Sequence, residues 1–69
     1  MKYKADQWVI YRPFPDDQSK YLNGIEYRVV ILHVYKKEEY YDYKIYIDGK
    51  DKIKNVHQRH LFPDPTSTY

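Results

Sequence analysis

Hydrophobic and polar positions alternate most clearly over residues 40–48. Tyr41, Tyr43, Ile45 and Ile47 interleave with Asp42, Lys44, Tyr46 and Asp48. A period of two marks a strand with one buried face. Residues 26–37 precede it and carry the β-branched Val29, Val30, Ile31 and Val34 with the aromatic Tyr27 and Tyr35. That composition favours a second strand over a helix. Parity then suggests a register. If Lys37 faces Tyr40, then Val34 faces Tyr43, Leu32 faces Ile45 and Val30 faces Ile47, and one face is wholly apolar. A slip of one residue would set these positions against Asp and Lys. A slip of two keeps the face and stays open. Glu38-Glu39 lacks the glycine or asparagine of a two-residue hairpin turn, so a longer loop is open too.

The remaining pattern is also β. Trp8-Val9-Ile10-Tyr11 reads as a strand ended by Pro13 and Pro15. Residues 12–24 hold Asp16, Asp17, Ser19, Asn23 and Gly24 and read as one long loop. After an Asp48-Gly49 turn, residues 52–56 form a short strand with Ile53 and Val56 as its apolar members. His57-Gln58-Arg59-His60 suits a single 3₁₀ turn, and Leu61-Phe62-Pro63 a last edge strand. Thr66-Ser67-Thr68 reads as a frayed tail. No amphipathic helical run exists. The expected core is Trp8, Ile10, Val30, Leu32, Val34, Tyr43, Ile45, Ile47, Ile53, Val56 and Leu61, and the apolar face of the hairpin also takes in Tyr41. The opposite face carries Tyr27, Val29, Ile31, Tyr35, Tyr40 and Tyr46, of which a bend would carry Val29 and Ile31 inward.

These elements resemble an SH3-like barrel of the Tudor type. The resemblance rests on Val9-Ile10-Tyr11, on Tyr27-Arg28-Val29-Val30-Ile31, on Tyr43-Lys44-Ile45-Tyr46-Ile47-Asp48-Gly49, and on Val56 and Leu61. It spans about residues 8–63 and implies one all-β, five-stranded small barrel with a 3₁₀ turn before the last strand, in a single domain of residues 1–69. Chain size and the tyrosine- and lysine-rich style also resemble the YorP-like SH3-fold accessory proteins of temperate Bacillus-type phages. That resemblance implies a non-enzymatic factor acting on a host or phage macromolecule in the host cytoplasm. Tudor-type barrels often hold methylated lysine or arginine in an aromatic cage. Here the matching positions are Phe14, Tyr27, Tyr46 and Asp48, but Ile47 and Lys50 stand where further aromatics are common. An isoleucine offers no cation–π attraction, and a lysine repels a cation.

Sixty-nine residues without cysteine have neither disulfides nor thiolate metal sites to support the fold. A chain this short buries only about 60% of its unfolded surface. Large side chains must compensate, and ten tyrosines, two phenylalanines and one tryptophan do so. The start, Met-Lys-Tyr-Lys-Ala-Asp, has no apolar signal-peptide stretch, and the longest apolar run is residues 29–32, which predicts a soluble intracellular protein. His57 and His60 lack the further ligands of a zinc site. Asp16-Asp17 and Glu38-Glu39 fall on exposed turns, and no phosphate-cradling glycine loop or nucleophile pattern appears. The reading is no enzyme, no metal and no cofactor.

Two surfaces remain as candidates. Surplus tyrosine points to a protein partner bound through Tyr35, Tyr46, Tyr27, Phe14 and Tyr40, since tyrosine is enriched at interfaces. Lysine interleaved with tyrosine offers an alternative nucleic-acid surface. Lys50, Lys52 and Lys54 alternate and so project to one side, while Lys36, Lys37 and Lys44 belong to the hairpin. A net charge of +2 argues against that alternative, and edge-strand lysines also serve to prevent sheet-to-sheet aggregation.

Overall fold

The central hairpin forms, but one unpaired residue divides it. In the computed structural model, which describes residues 2–65, the strands are β1 (Trp8–Tyr11), β2 (Tyr27–Val34), β3 (Tyr43–Ile47), β4 (Lys52–Val56) and β5 (Leu61–Pro63). They make one antiparallel sheet in the order β4-β3-β2-β1-β5, with β4 and β5 as open edges. The all-β expectation holds at that level. The predicted 3₁₀ turn is present at Gln58–His60, and the predicted tail, Thr66-Ser67-Thr68, lies outside the described residues.

Val34 faces Tyr43, as the first register predicts, and His33 faces Lys44. The ladder then shifts. Ile31 faces Ile45, Val30 faces Tyr46 and Val29 faces Ile47. Leu32 is the extra residue of a β-bulge, and one extra residue inverts the parity of everything before it. Val29 and Ile31 are fully buried, in line with the expected inward bend, while Leu32 is 40% exposed. The inversion passes to β1, where Val9 pairs with Val29 and Trp8 with Val30. Val9 and Tyr11 therefore enter the core, and Trp8 and Ile10 face outward, half-buried.

A second correction concerns β4. Lys52 lies opposite Ile47, Lys54 opposite Ile45 and Val56 opposite Tyr43. The two lysines therefore share the core face, and Ile53 turns away, 64% exposed. Of the expected core, Tyr43, Ile45, Ile47, Val56 and Leu61 are buried and Val34 packs partly buried against them. Trp8, Ile10, Val30, Leu32 and Ile53 are replaced by Val9, Tyr11, Val29, Ile31 and Tyr3. Tyr41, expected on the apolar face, is exposed because the hairpin loop spans residues 35–42. The Tyr35 N–H closes that loop onto the Asp42 carbonyl at 2.9 Å.

Tyr3 caps one end of the core from a segment that reads as polar. Its ring lies 5.8 Å from that of Tyr43. Its N–H donates to the Tyr43 hydroxyl (3.0 Å) and its own hydroxyl donates to the Leu61 carbonyl (3.2 Å). The Tyr43 hydroxyl donates onward to Gln58 Oε1 (3.1 Å), and the Gln58 N–H donates to Asp42 Oδ2 (2.7 Å). Three distant segments are thereby joined by satisfied polar groups around a buried aromatic pair.

Residues 12–24 are not loop throughout, because α1 (Gln18–Leu22) forms within them. The Lys20 N–H donates to the Asp17 carbonyl (3.1 Å) at its start. At its end the Ile25 N–H reaches back to the Lys20 carbonyl (3.0 Å) around Gly24, whose φ is +87°. That is a Schellman closure, which needs the left-handed conformation glycine adopts without strain.

Burial and the bulge make opposite demands on neighbouring residues. Ile31→Ala should cost about 2–5 kcal/mol, whereas Leu32→Ala should cost less than about 1 kcal/mol. Chemical denaturation of the two variants checks this order.

Burial, with Tyr43 nearby, raises the Tyr3 phenol above its ordinary value of 10.0. The neutral phenol is thus favoured by folding. Its contribution is complete below about pH 10, where both states are protonated. As pH rises further, the unfolded chain loses this proton first and stability falls. Thermal melts above pH 10 should show that decline, and Tyr3→Phe should flatten it while costing about 1 kcal/mol at neutral pH.

Candidate functional site

Inward-facing lysines on an edge strand are the starting point. The apolar face is fully covered at β1, β2 and β3, but at β4 it ends in Lys52 and Lys54. Their stems lie along the core rim with the ammonium groups free to reach water. A four-residue turn precedes them, with Gly49 at φ +84° and Asp51 at φ +50°. Left-handed backbone is natural for glycine and tolerated by aspartate. This turn brings Lys50 to the same side.

Across from β4 stand the end of β1 and the Pro-rich segment after it. Two hollows lie between, of about 250 and 340 Å³, and they share Tyr11, Pro13 and Lys54. The first is completed by Tyr27, Ile47, Lys50 and Lys52, with the outward-facing Ile53 at its rim on the edge strand. Phe14, Tyr41, Asn55, Val56, His57 and His60 complete the second. Together they form one groove with lysines at one end and aromatic rings along it.

The rings form a connected row. Tyr27 stacks on Tyr11 at 6.3 Å, Tyr11 lies 6.2 Å from His60, and His60 lies 6.4 Å from His57. His57 meets Tyr41 at 5.1 Å and Tyr40 at 5.0 Å. Lys50 Nζ sits 5.0 Å from the Tyr27 ring centre, and Lys54 Nζ 5.5 Å from that of Tyr11. These cation–π contacts hold both lysines over the groove.

Among the described residues, no carboxylate lines either hollow. Several acids are engaged elsewhere. Glu26 accepts from Arg12 at 2.8 Å, and the buried Asp64 accepts from Arg28 at 3.0 Å. Asp51 accepts from the Tyr46 hydroxyl, and Asp42 accepts from Gln58 and lies 4.0 Å from His57 Nδ1. The small net charge therefore conceals a locally basic groove.

The sequence-predicted residues separate accordingly. Phe14 and Tyr27 line the groove, and Tyr40 reaches its end through His57. Tyr46 lies on the outer face, in a row with Trp8, Val30 and Ile53. Tyr35 donates to Asn55 Oδ1 at 2.6 Å and shares a neighbouring hollow with Glu39, Tyr40 and Tyr41. The five tyrosine-face residues thus do not form one surface. Lys50, Lys52 and Lys54 come together, whereas Lys44 is on the outer face and Lys36 and Lys37 are exposed in the hairpin loop. The cage positions do not converge either. Tyr27 and Tyr46 lie on opposite faces, and Lys50 already covers Tyr27.

Tyr11, Pro13, Tyr41, His57 and His60 are groove residues that sequence reasoning did not assign to binding. The visible signals were Tyr11-Arg12-Pro13-Phe14 and the three-residue spacing of His57 and His60 on a 3₁₀ turn. Among the described residues, no three or more His, Cys, Asp or Glu side chains gather as a metal site, and no helix is long and apolar enough to cross a membrane. No protein-family model matches the chain, and neither a curated protein nor a solved structure is detectably similar to it.

Tyr46 offers a local check on the outer face. Its hydrogen bond to Asp51 raises the phenol above 10.0, with Asp48 adding to the effect. Tyr46 should therefore hold its proton to higher pH than a free tyrosine. Asp51→Asn should bring the Tyr46 titration, followed by NMR of labelled tyrosine rings, back toward the ordinary value.

Proposed function

We propose that this chain is a non-enzymatic SH3-like interaction module that holds an extended stretch of a macromolecular partner in the groove between β4 and the segment after β1. Five short strands, a long first connection, a central hairpin and a 3₁₀ turn before β5 support the SH3-like reading. So does the placement of β5 beside β1. Resemblance to the accessory proteins of temperate Bacillus-type phages suggests a host or phage macromolecule as the partner.

One observation carries the functional reading. Lys50, Lys52 and Lys54 face the same groove as Tyr27, Phe14 and Tyr41, and among the described residues no acid lines it. Exposed rings supply contact area at low rotamer cost, and the lysines add attraction at a distance. The groove replaces the Tyr35–Tyr46 surface, whose hydroxyls are already committed to Asn55 and Asp51.

Capture from cell lysate on immobilised protein tests this placement. Phe14→Ala with Tyr41→Ala should abolish capture of whatever wild type retains, while Tyr35→Ala with Tyr46→Ala should leave it intact. The opposite pattern would return the working surface to the outer face.

A further inference from the structure

Resting on the groove as the binding site, we propose that its ligand is single-stranded nucleic acid, with the sugar–phosphate chain along β4 and the bases turned to the aromatic wall. Three features point there. The first is spacing. Lys52 and Lys54 stand two residues apart on β4, where two residues of extended chain advance about 6.6–6.8 Å, and Lys50 joins them on the same side from the turn before the strand. Successive phosphates of an extended single strand are separated by a similar distance, so Lys52 and Lys54 each meet their own phosphate and Lys50, on the same side, meets one beyond them.

The second is charge. Lysine acts on phosphate as a point cation, and three of them, with no carboxylate among the described residues lining the groove, make a continuous basic track. Lys50 and Lys54 already rest over Tyr27 and Tyr11, so less side-chain freedom is lost when a phosphate arrives.

The third is the rings. Phe14 and Tyr41 are exposed, and His57 is half-buried beside Tyr41. Every base presents a flat face, so rings of this kind bind single strands with little regard to sequence. In a duplex those faces are hidden in the stack, which selects against paired strands. An acidic peptide could satisfy the lysines but would leave Phe14 and Tyr41 without a stacking partner.

Fluorescence anisotropy with a labelled twelve-residue oligothymidylate tests the proposal, with a duplex of equal length and a polyglutamate peptide as controls. Three phosphate contacts predict a slope of log affinity against log salt of about −2. Lys50→Gln, Lys52→Gln and Lys54→Gln combined should flatten it toward zero. Phe14→Ala and Tyr41→Ala should each weaken binding roughly five- to hundredfold with the slope unchanged. The duplex should bind more weakly than the single strand.

Equal duplex affinity, or oligothymidylate binding indifferent to all five substitutions, overturns the proposal. Polyglutamate binding that is lost with the lysines, without oligothymidylate binding, overturns it but keeps the groove. If neither anion binds and lysate capture ignores Phe14 and Tyr41, the groove reading falls as well.

Discussion

Leu32 is the residue on which the inside and outside of this sheet depend. Left without a partner between Ile31 and His33, it lets β2 satisfy two incompatible parities. Beyond the bulge, Val34 matches the buried Tyr43. Before it, Ile31 and Val29 match the buried Ile45 and Ile47. β1 inherits the second parity through its pairing with β2, and so Tyr11 rather than Ile10 enters the core. Without that one-residue offset, Tyr11 would face outward and the aromatic floor of the groove would be missing. Bulges commonly re-aim side chains beside working surfaces, and this one does so on the strand next to its own.

The sequence was legible where alternation admitted one answer. Tyr43, Ile45 and Ile47 are flanked by polar residues, so their burial could be read directly, as could the bounds of β1, β4 and β5. Val29-Val30-Ile31-Leu32 is different, because four consecutive apolar residues fit either parity. Only the ladder with β3 selects among them. Tyr3 was hidden for another reason: its partners lie 40 and 58 residues away, and its neighbours are polar. α1 carried cap signals in Asp17 and in Asn23-Gly24. Five residues between them are too few for helical propensity to matter, and the helix persists through its ends. For the site, parity could place Lys50, Lys52 and Lys54 together but not say on which face. It could not separate Tyr46 from Tyr27, because that division needs the bulge.

The lysines on β4 reconcile two opposed roles. An open edge invites a neighbouring sheet, and charged side chains pointing toward the core face discourage one. The same charges attract an anionic chain. A near-neutral composition makes this hard to see from totals. Arg12 and Arg28 are drawn to Glu26 and Asp64 and lie over Phe62 and Trp8 at 4.4 and 4.5 Å. They thereby cover outer aromatic rings, and the groove is left to lysine.

Tyr3 sets where this domain begins. The sheet starts at Trp8, yet the unit that folds starts earlier. A chain trimmed to its first strand would keep the strand pairings but lose the bonds from the Asp6 N–H to the Ile31 carbonyl (2.7 Å) and from the Ile31 N–H to the Gln7 carbonyl (2.9 Å). It would also strip the ring from one end of the core and leave the Leu61 carbonyl without the hydroxyl that meets it. The short leading segment is therefore better regarded as a working part of the domain, joined by the Tyr3 side chain and by the backbone of Asp6 and Gln7, than as a tail that precedes it.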